Sequence, residues 1–370
     1  MPESPPDAVA TEPAPPDAAL PDAALPGAAL PDAARATPRT VVLTLGSVLL
    51  AAALLGWGLP RLTGVPWGRI LDTAAEAPAW ALVALPLLAL AALGLGALAL
   101  GTALEGIGAA RAVMLSAVTT AISLAVPGGS MIALGLVHVT ARRAGLRLPA
   151  IVTGLALVLL PQAAAGALLV PIGVLGYLLG DVRPLSGITT ALLVVGALLY
   201  TAAAVGVALL LRRGPFARLV GFAVDRLAGD ASDDPEVLDP AQWAGVVLDA
   251  RDRAAARLRA HAGVLLGAPL LVLALQCGAL AVAARAAGLD VPVPMTLAVF
   301  ALGRVLALVP LTPGGAGLVE SGSALALMGF GQPDAGSATA AVLLSITTLL
   351  TPLALGLLGG VGLALASRRR

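Results

Sequence analysis

Two opposite charges flank a Pro-Gly-Gly break inside an otherwise apolar stretch: Arg304 and Glu320, with Thr312-Pro313-Gly314-Gly315-Ala316-Gly317 between them. A charge at the centre of a membrane helix costs about 2.5–3.5 kcal/mol on insertion scales. A broken helix also leaves backbone groups that lipid cannot satisfy. Such a stretch belongs where it faces protein or a wet cavity, which makes it the first candidate site. The chemistry it offers is anion recognition, because a half-helix starting at the break aims its free N–H groups and positive dipole end at whatever lies ahead. The glycines allow close backbone approach. Thr312 can cap an arm or donate to a ligand oxygen. Arg304 can grip a phosphate in fork geometry. Glu320 can pair with Arg304 and tie the two arms together, or meet an amine on a substrate.

A second break, Pro127-Gly128-Gly129, lies in an earlier apolar segment and is followed by Ser130, a further hydroxyl able to cap or donate. Chance recurrence is the competing explanation in a chain with 43 Gly and 29 Pro. The pair nevertheless suggests two half-helices whose amino ends meet inside the membrane.

Composition limits what surrounds them. Hydrophobic residues make up 59% of the chain, charged residues 12%, and mean hydropathy is +0.97, which describes a multi-pass membrane protein. There is no Lys and no Asn, so a phosphate-loop lysine, a Schiff-base lysine and an N-glycosylation site are all excluded. ATP-driven transport by this chain alone is thereby disfavoured. A net charge of +1 gives no bulk attraction to nucleic acid. Cys277, the one cysteine, falls in an apolar run and reads as a buried inert thiol. His138 and His261 are too few for a metal cluster, and His138 reads as an interfacial structural residue. No nucleophile–base pair shows, so neither an enzyme nor a cofactor is implied.

Residues 1–39, with Pro-Asp-Ala-Ala-Leu units from Pro16 to Arg35, read as a disordered tail. A cleavable signal peptide is disfavoured because the first apolar run begins only at Thr40 and is long enough to span. Spans are expected at about 40–59, 79–103, 148–180 (kinked by Pro161 and Pro171), 187–211, 262–284 and 338–366. A loop joins the first two spans, and a tight turn at Asp181–Pro184 joins the third and fourth. Short arms at 112–126 and 130–141 surround the first break, and arms at 294–310 and 316–330 surround the second. Each is shorter than the roughly 20 residues a crossing needs. Residues 212–261 form a polar insert read as two amphipathic helices on the bilayer surface, joined by an acidic loop from Asp230 to Asp239, with Asp239 as N-cap of the second. Residues 367–370 form a basic end.

Arginine placement favours one topology. With a cytoplasmic amino terminus and both short-armed pairs as re-entrant hairpins, Arg35, Arg39, Arg111, Arg142, Arg143, Arg147, Arg212, Arg213, the insert and the terminal Arg triplet all fall inside. Only Arg61, Arg69, Arg183 and Arg285 fall outside, as the positive-inside rule requires. The fold class is then all-α integral membrane, with about six full transmembrane helices plus two Pro-Gly-Gly hairpins arranged as an inverted-topology repeat. Eight full spans are the alternative.

The Pro-Leu-Thr-Pro-Gly-Gly-Ala-Gly-Leu-Val-Glu run ending at Glu320 resembles the signature of the lysylphosphatidylglycerol synthase transmembrane region, or flippase-like domain family, with looser likeness over about 40–366. Pro127-Gly128-Gly129 is similar to that family's first break. Two departures stand out. No carboxylate follows the first break in Ser130–Leu134, and Ser345-Ile346 stand where Tyr-Arg is frequent. The synthase's soluble aminoacyl-transferring domain has no counterpart. The resemblance implies a multi-pass protein of the bacterial cell membrane, with both termini cytoplasmic, that translocates a phosphate-bearing, in some members aminoacylated, lipid. Arg304, Thr312, Pro313, Gly314, Gly315, Gly317 and Glu320 would contact that lipid together with Pro127, Gly128, Gly129 and Ser130. A phospholipid, the membrane, a separate lipid-modifying enzyme and a second copy of the chain are the partners to expect, and nucleic acid is not. Two other functions stay open: a secondary transporter of a small anion with Glu320 as proton carrier, and a scaffold docking a partner through 212–261.

Overall fold

The computed structural model describes residues 46, 49–126, 128–179, 187–210, 212–228, 240–307 and 312–368. The tail 1–39, the Asp181–Pro184 turn, the acidic loop with Asp239, Pro127 and the last two arginines lie outside them. All regular structure among the described residues is helical. Four helices are long and apolar enough to cross a membrane: α3 (Ala79–Ala103), α6 (Leu148–Leu179), α10 (Ala262–Ala286) and the run Asp334–Leu363. A fifth is possible by length if the bent pair α1 (Leu49–Thr63) and α2 (Trp67–Ala75) is one span. The helix α7 (Gly187–Leu210) adds a largely apolar run of 24 residues.

The polar stretch after residue 60 is not a loop, as expected from sequence, but mostly helix. Gly64, at φ +68, ends α1, and Pro66 in extended conformation precedes α2, which leaves at 93°. Ile70 is fully buried under the protein, and its carbonyl accepts the Thr339 hydroxyl at 3.3 Å. The charges and the flanking prolines hid a helix of only nine residues, about two and a half turns.

Both broken segments take the expected short-armed form. The first pair is α4 (Ala109–Ala125) and α5 (Gly129–Arg143), and the second is α11 (Val293–Leu306) and α12 (Leu318–Gly329). One apolar cluster holds Leu100 and Leu104 from the end of α3, Ala112 and Leu115 from the start of α4, Val137 and Ala141 from the end of α5, and Ile151 from the start of α6. The first pair therefore starts and finishes together, where α3 ends. A second cluster joins Ala81 and Leu85 from the start of α3, Ala283 and Ala284 from the end of α10, Val299 and Phe300 of α11, and Leu327 near the end of α12. Gln332 Nε2 also donates to the Asp290 carbonyl, binding the exit of α12 to the entry of α11. The second pair thus starts and finishes where α3 begins.

Helix partners follow an exchange pattern. The first arm α4 packs along the last helix, α14 (Thr351–Arg368), and the corresponding arm α11 packs along α6. α3 and α10, which precede the two pairs, pack on each other. Small residues make these approaches possible: Gly356 and Gly359 lie on Ala117 and Ala121, and Gly173 and Gly176 lie on Ala301 and the Pro294 carbonyl. Lipid gives no hydrophobic drive between helices, so close van der Waals packing of this kind holds such bundles together.

The last span is not one regular helix. α13 (Asp334–Ser345) passes through a π turn, Ile346–Leu350, into α14. Pro352 lacks the N–H that would continue the regular ladder, and the π turn absorbs the mismatch. Thr347 Oγ1 fixes this turn by donating to the Leu85 carbonyl of α3 at 3.0 Å.

The insert forms the two expected helices, α8 (Arg213–Ala228) and α9 (Pro240–Ala260). They are not simply laid on a bilayer. Ala254 and Leu258 of α9 pack against Ala103, Leu157 and Leu265, and Arg257 pairs with Glu105 at 2.7 Å. The apolar stripe that read as lipid-facing is partly covered by the ends of α3, α6 and α10.

Candidate functional site

The two breaks lie against each other. Pro313–Gly315 forms one 3-10 turn with Gly314 at φ +58, and this turn packs on the end of α4. A Cβ at Gly314 would come within 2.7 Å of Leu124 Cδ2 and 3.3 Å of Leu124 Cα. Leu124 itself stands three residues before Pro127. Gly315, buried at φ +76, touches Ala307 and Val319 and so closes the second pair on itself.

Gly317 supplies the next turn of the site. At φ +83 it precedes α12, and the α1 backbone comes so close that a Cβ would lie 2.5 Å from Leu54 Cβ and 3.2 Å from the Ala51 carbonyl. Here α1 carries its own π turn, Leu54–Gly58, just before Pro60, and the Gly56 carbonyl accepts the Trp67 indole N–H at 2.7 Å. No hydropathy or spacing signal in the sequence marks α1 as part of the site.

Glu320 is 3% exposed. Its Oε2 accepts the Gly317 N–H at 2.6 Å and its Oε1 accepts the Ser345 hydroxyl at 2.7 Å. The carboxylate therefore caps the helix it sits on, one half of a capping box, since Gly317 has no side chain to return the bond. Neither Thr312 nor Ser130 caps an arm: at the second break the capping bond comes from Glu320, and the helix after the first break has no side-chain cap. The amino end of α12 consequently already holds an anion, and it belongs to the protein.

Arg304 does not pair with Glu320. It lies in the last turn of α11, its side chain is exposed, and it has no ion pair among the described residues. Each charge instead sits on the helix end whose dipole suits it: the cation at a carboxyl end, the carboxylate at an amino end. Among the described residues Arg304 has no ion-pair partner, whereas each Glu320 oxygen accepts a hydrogen bond from the protein.

The remaining candidates divide by exposure. The Thr312 hydroxyl is buried with no hydrogen-bond partner among the described residues, and so is that of Ser321, next to Glu320. Pro313 is buried. At the first break Gly128, at φ +69, and Ser130 are exposed, whereas Gly129 is buried, and a Cβ there would overlap the Ile122 carbonyl. The first break is the open one and the second the enclosed one. Cys277 is half-buried against the central cluster, and no group of three metal-ligating side chains occurs among the described residues.

The family model described as the lysylphosphatidylglycerol synthase TM region matches residues 44–356, which takes in both breaks, α1 and Ser345. No curated protein matches.

Proposed function

This chain belongs to the lysylphosphatidylglycerol synthase transmembrane family and is a multi-pass membrane protein; from that premise we propose that it carries a phosphate-bearing lipid between leaflets. The match is to the synthase's membrane region, with no catalytic domain identified, and we read the chain as a translocation module and not an enzyme.

In this reading α4–α5 and α11–α12 are re-entrant hairpins entering from opposite faces, and the two repeats are inverted copies. The exchange of helix partners supports it, as does the anchoring of the two hairpins at opposite ends of α3. The observation that carries the reading is the seating of the Gly314 turn on Leu124, which brings two breaks from separate halves of the chain to one place. Broken helices meeting near the midplane are a recurrent transporter plan, and rocking of one repeat against the other gives alternating access.

Headgroup contact falls to Arg304, with the exposed Ser130 hydroxyl supplying a neutral donor at the open break, where the Gly129 N–H is already held by the Val126 carbonyl at 2.8 Å. Thr312 and Ser321 offer further hydroxyls once the repeats part. Acyl chains stay in lipid. The amino and carboxyl termini and the insert lie on the cytoplasmic side, where the arginines concentrate.

The test is reconstitution of the full chain into liposomes holding an acyl-labelled anionic phospholipid, followed by quenching of the outer leaflet. Transfer above that of protein-free vesicles is expected. A rate equal to theirs across several headgroups would sink the proposal.

A further inference from the structure

Resting on that translocation reading, we propose that the cleft between α5 and α6 is a lateral portal through which a lipid headgroup reaches the breaks, with Gln162 of α6 binding it beside Ser130. α5 and α6 are antiparallel neighbours joined by the short turn 144–147, and Val137 and Ala141 share one apolar cluster with Ile151, Leu155 and Val158. Ser130 stands 11 residues before Ala141, and Gln162 stands 11 residues after Ile151. Eleven residues make about three helical turns and rise about 16 Å. Both positions therefore return to the face that their helix turns toward the other, at one depth above the shared cluster.

Spacing along each helix agrees. Ile151, Leu155, Val158 and Gln162 follow at intervals of four, three and four, which is one stripe of a helix. Ala141, Val137, Leu134 and Ser130 make the same stripe on α5. Burial follows these stripes only part of the way: Val137, Ala141 and Ile151 are buried, whereas Ser130 and Gln162 are exposed. The two helices are closed beside their turn and open at the level of the first break. Pro161, which cannot donate to the helical ladder, sits at that same level.

Gln162 lies near the middle of α6, a helix long and apolar enough to cross a membrane. An amide is costly in lipid and ordinarily finds a partner on a neighbouring helix; Gln162 makes no hydrogen bond among the described residues. Its NH2 donates twice and its carbonyl accepts, so it suits a phosphate oxygen, a glycerol hydroxyl and an aminoacyl ammonium alike. The portal is in that sense neutral toward headgroup charge, which is met further in by Arg304. Met131, Ile132, Leu159 and Leu160, all exposed, flank the pair with apolar surface along which acyl chains remain in lipid.

The experiment uses the full chain in liposomes holding acyl-labelled phosphatidylglycerol. Gln162→Leu is expected to lower transfer about tenfold, the loss of one hydrogen bond to a charged group, with Gln162→Asn retaining part of the rate. Gln162→Leu is also expected to melt at or above the parent temperature in detergent, since it removes an amide that the protein leaves to the ligand. In a Cys277→Ser background, Ser130→Cys combined with Gln162→Cys is expected to be bridged by a short bifunctional thiol reagent, read as a single mass addition. Unchanged transfer by folded Gln162→Leu, a lowered melt marking the amide as structural, or two separate reagent additions in place of a bridge would each overturn the portal and leave translocation standing. Absence of transfer by the folded parent chain would overturn translocation and this proposal together.

Discussion

The Ser345 hydroxyl donates to Glu320 Oε1 at 2.7 Å, joining the last long helix to the half-helix after the second break. Ser345 is also the final residue before the π turn, so one bond links three irregularities: the break, the buried carboxylate and the change of helical pitch. Ser345→Ala leaves a buried carboxylate oxygen without its donor, which costs about 1–3 kcal/mol. A lower unfolding temperature in detergent is expected for Ser345→Ala, a larger drop for Glu320→Ala, which also uncaps α12, and little change for Ser345→Thr. An unchanged melt for Ser345→Ala would deny the bond any structural weight.

Gly314 faces two obstacles to substitution. Its φ of +58 costs an L side chain about 1–2 kcal/mol, and a Cβ would press on Leu124. Gly314→Ala should destabilise the protein and slow lipid transfer, and adding Leu124→Ala should recover part of the loss by removing the side-chain overlap. The backbone term stays, since Leu124 Cα is itself 3.3 Å away. A double-mutant cycle in thermal stability measures the coupling. Additive losses would show that the two breaks do not press on each other.

Much of this arrangement is legible in the residues. Helix limits at Ala79, Leu148, Gly187 and Ala262 follow from apolar run length and punctuation, and the Pro-Gly-Gly signals locate both breaks. Partner choice is not legible. Two charges 16 positions apart can be read as a pair or as ligand contacts, yet each is matched to its own helix end, and Glu320 finds Ser345, a residue marked beforehand only by the family resemblance, where it stands in the place of a frequent tyrosine. The helical turn at 67–75 is obscured by charges and by flanking prolines. The contact of Gly317 with α1 leaves no trace because any small residue suits an apolar run; only the packed fold shows that nothing larger fits.

Gly356 tests the crossing of α4 and α14. A methyl group there would overlap the Ala121 side chain and lie 3.0 Å from the Ala117 carbonyl. Overpacking of this kind typically costs about 1–3 kcal/mol, so Gly356→Ala should reduce both thermal stability and the yield of monodisperse protein. Gly267→Ala, with no neighbouring atom within 4 Å, is the matched control and should behave as the parent. If the two variants melt alike, α4 does not rest on α14 through these glycines.

Arg304 and Thr312 lie eight residues apart, both before the Pro313–Gly315 turn, and differ in access: the arginine is exposed, whereas Thr312 is 4% exposed. In a Cys277→Ser background, which removes the only native thiol, Arg304→Cys should react with a small charged, water-soluble thiol reagent. Thr312→Cys should react about tenfold more slowly or worse, because thiolate chemistry requires both water and access. The rates are read by mass shift after timed quenching, in liposomes and again in denaturant, where the two should converge. A cysteine at 304 that resists the reagent in membranes but reacts in denaturant would place that side chain in lipid and leave the headgroup without its cation. A reactive cysteine at 304, protected by added phosphatidylglycerol, would instead tie water access and lipid recognition to the same atom position.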